Sequence, residues 1–136
     1  MTSQIDRRRL WWVGPLTVLA SVAAVLVVRV VAFATLDLSA AYPPLSWSGP
    51  IFFTVVLVSA AVLVFVAVAR TSPTPIRTYR RIALGALLLS FVPDLFLPGT
   101  GPGATWPAAI VLMVMHVAAW LPTMLVLTNP AIVARK

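Results

Sequence analysis

Long apolar runs separated by short polar breaks make up nearly the whole chain. Residues 10–38 carry Arg29 as their one charge ahead of Asp37, and residues 50–69 carry none. Residues 82–97 are broken by Pro93 and Asp94, and residues 106–127 contain His116 and Pro122. A helix crosses a bilayer with about 20 mostly apolar residues. The second and fourth runs have that length. The first is longer and must tilt or project from the membrane. The third reaches it if its helix begins near Thr78, with Arg80 and Arg81 snorkelling from the first turn to the headgroups. The pattern predicts spans at 10–38, 50–69, 79–97 and 106–127, all within a single domain covering residues 1–136. The expected fold is all-α, an integral membrane four-helix bundle.

The breaks have their own chemistry. Tyr42-Pro43-Pro44 cannot continue a helix, and Ser72-Pro73-Thr74-Pro75 ends another. Residues 98–105, rich in Gly and Pro, form a turn-rich loop. Thr105 is placed to cap the fourth helix, with Pro107 in its first turn. Pro122 removes a backbone donor inside that helix and should kink it. Helices in lipid associate through small residues, for which Ala20, Ala24, Ser59, Ala60, Ala61, Ala67, Gly85, Ala86, Ala108, Ala109, Ala118 and Ala119 are available.

Composition narrows the class further. The chain of 136 residues is 61% hydrophobic and 10% charged, with a mean hydropathy of +1.03. That leaves too few charges to cover a water-facing surface. There is no cysteine, hence no disulfide, no thiolate metal site and no thiol nucleophile. The net charge of +7 sits in clusters between apolar runs, the pattern of a topology signal rather than of nucleic-acid binding. With Arg7, Arg8 and Arg9 in the cytoplasm, four spans bring the turn carrying Arg70, Arg77, Arg80 and Arg81 and the tail Arg135-Lys136 to the same side. The loops 37–49 and 98–105 contain no Lys or Arg. Both termini are thus expected to be cytoplasmic, in a multi-pass protein of a bacterial inner membrane. Trp11 and Trp12 would mark the inner interface, and Trp47 and Trp106 the outer one. A signal peptide with a cut near Ser39-Ala40-Ala41 is the rival reading. The first run is too long for a signal h-region, so it is expected to remain as a span.

Few residues can carry chemistry. A charge inside a span costs about 2.5–3.5 kcal/mol near its centre, so each one needs a partner or a purpose. Arg29 lies roughly 10 Å inside the outer end of the first span, and Asp94 about 20 Å from Arg80 along the third. That arithmetic puts both at one depth and predicts an Arg29–Asp94 ion pair, structural or gating. Ser90, one turn from Asp94, is expected to join them, with Asp37 as the second choice of acid. His116, near the midplane, is expected to hydrogen-bond Ser59 or Ser90. Arg70, Arg77, Arg80 and Arg81 are candidate contacts for lipid headgroups. One histidine and no cysteine leave no metal or haem site, and no cofactor is expected. No phosphate-binding loop, paired carboxylate or nucleophile motif appears, so the protein is expected not to be an enzyme.

Taken together, the Arg-led first span, the Pro-rich loop 42–50, the basic turn after Arg70, Leu88-Leu89-Ser90-Phe91-Val92-Pro93 and Met115-His116-Val117-Ala118-Ala119 resemble an uncharacterised family. It is a domain of unknown function found in small four-helix membrane proteins of high-GC bacteria. The likeness covers most of residues 10–128. It implies four spans and an inner-membrane location, and no activity.

Three functions follow from these features. The favoured one is a non-catalytic protein that packs against itself or a membrane partner within the bilayer. The alternative is an oligomeric channel or transporter subunit with a polar site made by Arg29, Asp94 and His116. The third is a membrane enzyme or lipid-binding protein using the basic turn. Convergence of Arg29, Asp94 and His116 on one cavity is the feature that separates the first two.

Overall fold

The computed structural model describes residues 6–133, and the backbone alone of Arg7. Arg135 and Lys136, two of the cations assigned above to the cytoplasmic face, lie outside the described residues. All regular structure among the described residues is helical, without strands. Helix α1 spans Arg7–Thr35, α2 Ser48–Thr71, α3 Pro75–Leu95 and α4 Trp106–Pro122, with a short α5 at Pro130–Val133. A 3-10 turn at Pro43–Leu45 precedes α2, and a π-turn at Thr123–Leu127 follows α4.

Local chemistry sets these boundaries. The Asp6 carboxylate accepts the Arg8 backbone N–H at 2.9 Å and starts α1. Pro75 opens α3, where its missing donor costs nothing. Thr105 accepts the Ala108 N–H at 3.4 Å and caps α4. Pro122 cannot donate to the carbonyl one turn back, and the helix beyond it widens into the π-turn. The Thr123 hydroxyl donates to Trp120 O at 2.6 Å where the pitch changes.

Helix α1 packs on α2 and α4, and α3 packs on the same two helices. Three residues, 72–74, join α2 to α3, which makes them antiparallel neighbours. Two buried clusters fill the interior. One holds Val25, Leu45, Ala108, Val111 and Met115. The other holds Val13, Phe65, Tyr79, Leu127 and Val133. The Ser21 hydroxyl donates to Ala119 O at 2.9 Å and ties α1 to α4. Ala108, Ala109 and Ala118 are buried between helices, whereas Gly85 and Ala86 are exposed, with nothing within 4 Å of a Cβ added at Gly85. The close approach of α1 to α2 falls instead at buried Gly14, where a Cβ would lie 3.2 Å from Val62.

The two described ends of the chain meet. The Asp6 N–H donates to Val133 O at 2.9 Å, and the Arg9 guanidinium donates to Ala131 O and Ile132 O at 3.4 Å. At the opposite end, the loops on either side of the core touch where Gly103 lies under Tyr42.

Three helices are long and apolar enough to cross a membrane: Arg8–Thr35, Ser48–Thr71 and Trp106–Leu127. Their outward surfaces are apolar, with Leu19, Phe52, Phe53, Leu63, Ile110 and Leu125 all exposed. Helix α3 has 21 residues but carries Arg77, Arg80, Arg81 and Asp94, and is not among the three.

Candidate functional site

Arg29 is buried on α1, with 6% of its surface exposed. The loop after α1 folds back over it. Pro43 and Pro44 set the 3-10 turn that turns the Leu45 carbonyl inward, and Arg29 Nε donates to that oxygen at 2.9 Å. The guanidinium carbon sits 4.4 Å from the ring centroid of Phe33 and 3.8 Å from that of Trp47. Phe33 is four residues further along the same helix face, so this contact was readable from spacing. Trp47, expected only as an interface marker, lays its ring against the cation. A desolvated cation–π contact stabilises by about 2 kcal/mol, comparable to the cost of placing the charge there.

Asp94, 5% exposed near the end of α3, faces His116 on α4. Asp94 Oδ2 and His116 Nδ1 are 3.0 Å apart, close in distance but off the line of a hydrogen bond, and neither has another polar partner. The imidazole is 31% exposed and lies against Phe91, with ring centroids 6.4 Å apart. In the loop after α1, the Tyr42 hydroxyl is buried and has no partner. Burial, and after it the negative charge of Asp94, push the Tyr42 phenol above its ordinary value of 10.

The Arg29–Asp94 pair read from the sequence does not form, and the register of the helices explains why. Ser21 and Ala119 are level, being hydrogen-bonded. Arg29 lies eight residues beyond Ser21, whereas His116 lies three beyond Ala119, so the cation sits about 8 Å further out than His116 and its partner Asp94. Helix α3 begins at Pro75 rather than Thr78, and Arg80 Nε donates to Thr128 Oγ1 at 3.0 Å. Asp94 is level with His116 on α4 and not with Arg29. Ser90 stays out of the pair and donates to Leu87 O at 2.7 Å. Ser59 lies in a groove between α1 and α2, away from His116. Asp37 is exposed in the loop after α1 and makes no ion pair among the described residues. Arg70, Arg77, Arg80 and Arg81 are exposed around the α2–α3 turn.

A lone carboxylate–imidazole couple can hold or pass a proton. No group of three potential metal ligands occurs among the described residues. The neighbours that the sequence did not reveal are Tyr42, close enough to feel the charge of Asp94, Trp47 over Arg29, and Thr128 beside Arg80. All three partners come from loops or turns, where no periodicity announces which way a side chain points.

An all-helical architecture with three membrane-capable helices and an apolar outer surface defines the class as a membrane protein. Within that class, the chain belongs to the family of unknown function DUF6069, whose profile matches residues 5–129. No curated protein and no solved structure matches the chain.

Proposed function

We propose that this is a four-span, non-catalytic protein of the bacterial inner membrane, with both termini in the cytoplasm, that acts by packing against a membrane partner or a second copy. The observation that carries this reading is the separate housing of the intramembrane charges. Arg29 is committed to Leu45 O, Phe33 and Trp47, and Asp94 to His116. A channel or transporter subunit built on these residues needs them to share one cavity, and about 8 Å of helix separates them. Helix α3 as the fourth span is supported by its surface, since Ile82, Leu84, Leu88, Leu89 and Val92 are exposed and apolar. The cytoplasmic placement of the termini is supported by the meeting of residues 6 and 133 at the end that carries Arg9 and Arg80.

The test is reconstitution of the full chain into liposomes. The expected result is no proton or ion flux above that of empty vesicles, while Arg29→Ala and Asp94→Ala each lower the melting temperature in detergent. Flux that disappears in His116→Ala would establish the transport reading in its place.

A further inference from the structure

Between α1 and α2 an outward-facing groove of about 840 Å³ runs from Leu10 and Arg70 at one end to Leu19 and Ser59 at the other. Its walls are apolar, Gly14 and Pro15 contribute little side chain to α1's side of it, and Trp11 stands exposed at its mouth. From Arg70 to Ser59 the groove covers about 16 Å of helix. That is about half of a 30 Å hydrocarbon core, the depth of one leaflet. A partner helix would need a seam running the full thickness. The single charge lining the groove is Arg70, which is exposed and makes no ion pair among the described residues. No acid lines it.

We infer that this groove is a site for an anionic phospholipid of the leaflet at the Arg-rich face, one acyl chain lying between α1 and α2 and the phosphate on Arg70. A leaflet-deep apolar channel with its one cation at the headgroup end matches both parts of that molecule. The inference rests on the membrane-spanning reading above.

The experiment uses the full chain in phosphatidylcholine nanodiscs containing increasing fractions of phosphatidylglycerol or phosphatidylcholine brominated on the acyl chain. The difference in tryptophan quenching between wild type and Trp11→Phe isolates Trp11. Wild type is expected to reach half-maximal quenching at about fivefold lower content of the brominated anionic lipid, the preference one cation contributes at a membrane surface. Arg70→Gln should erase that preference. Arg77→Gln, which removes a cation outside the groove, should keep it. Ser59→Phe, with helicity checked by circular dichroism, should weaken quenching by the anionic lipid by blocking the deep end.

Equal quenching by the two lipids in wild type would overturn the site. Equal loss of preference in Arg77→Gln and Arg70→Gln would overturn it too, showing a general surface charge. Trp11 quenching by neither lipid, together with cross-linking between copies through the groove, would make a second copy the occupant. Absence of quenching for every tryptophan would instead refute the membrane reading itself.

Discussion

Arg29 shows how a cation can be held among apolar side chains without an acid. Its charge faces two aromatic rings and its Nε faces a carbonyl. Arg29→Ala should therefore destabilise the protein by about 2–4 kcal/mol, since a desolvated cation–π contact and a charged hydrogen bond are lost together. A double-mutant cycle with Trp47→Ala, read by chemical unfolding in detergent, should give a coupling of about 1–2 kcal/mol. Arg29→Lys should recover only part of the loss, because an ammonium cannot stack flat on Trp47 while donating to Leu45 O. Tyr42 behaves in the opposite way, having a buried hydroxyl without a partner. Tyr42→Phe should be neutral within about 0.5 kcal/mol or slightly stabilising at pH 7, because no bond is lost. Its phenol is raised above 10 in the folded protein. Below pH 10 both folded and unfolded chains hold the proton. As pH climbs past 10 the unfolded chain releases it first, so stability falls until the folded phenol also ionises. Unfolding curves between pH 9 and 11 should accordingly fall less steeply for Tyr42→Phe than for wild type. At this scale the sequence marked the right residues, because charges and a histidine stand out in apolar runs. It did not reveal their partners. Arg29 reaches its carbonyl through a loop, and the Asp94–His116 contact depends on where α3 sits against α4.

The helices themselves were legible from their ends. Prolines at 43, 44, 73 and 75 interrupt the apolar pattern, and in the structure they lie in the α1–α2 connection, in the α2–α3 turn and at the first residue of α3. The first turn of α3 was less legible, because Pro75 starts the helix three residues ahead of Thr78 and carries Arg77 into it. Small residues were legible as a class and not by position, since composition does not say which face meets a neighbour. Two glycines test the distinction. Gly85 is on an open face of α3, with nothing within 4 Å of an added Cβ. Gly85→Ala should stabilise by up to about 1 kcal/mol through helix propensity alone. Gly103 has φ +79°, and an added Cβ would lie 2.9 Å from Tyr42 Cβ and 3.2 Å from Ser39 Cβ. Left-handed backbone and a clash combine there, so Gly103→Ala should destabilise by roughly 1–3 kcal/mol and loosen its packing against Tyr42. Thermal unfolding of both variants in one detergent checks the opposite signs.

For the molecule as a whole, the placement of α3 sets the topology. Its charges argue against insertion when counted along the helix. Their placement argues for it. Arg77, Arg80 and Arg81 lie in the first two turns, and Asp94 is next to the last residue and faces His116. Between them only Ser90 is markedly polar, and its hydroxyl bonds back to Leu87 O as a helix in lipid requires. If α3 crosses, the α2–α3 turn and the loops 36–47 and 96–105 lie on opposite faces. If it does not, the 96–105 loop joins the turn on the cytoplasmic side and α4 emerges facing outward, carrying Arg135 and Lys136 with it. The absence of native cysteine makes the test direct. Single cysteines at Ser39, Thr74 and Thr100 report the three segments. With four spans and cytoplasmic termini, a membrane-impermeant maleimide should label Ser39→Cys and Thr100→Cys in intact cells and reach Thr74→Cys only after permeabilisation. Protection of Thr100→Cys alongside Thr74→Cys would give three spans. Labelling of Thr74→Cys in intact cells would invert the protein. The positive-inside bias opposes that inversion, because a turn with four arginines would be on the outer face while the loops left inside carry no Lys or Arg.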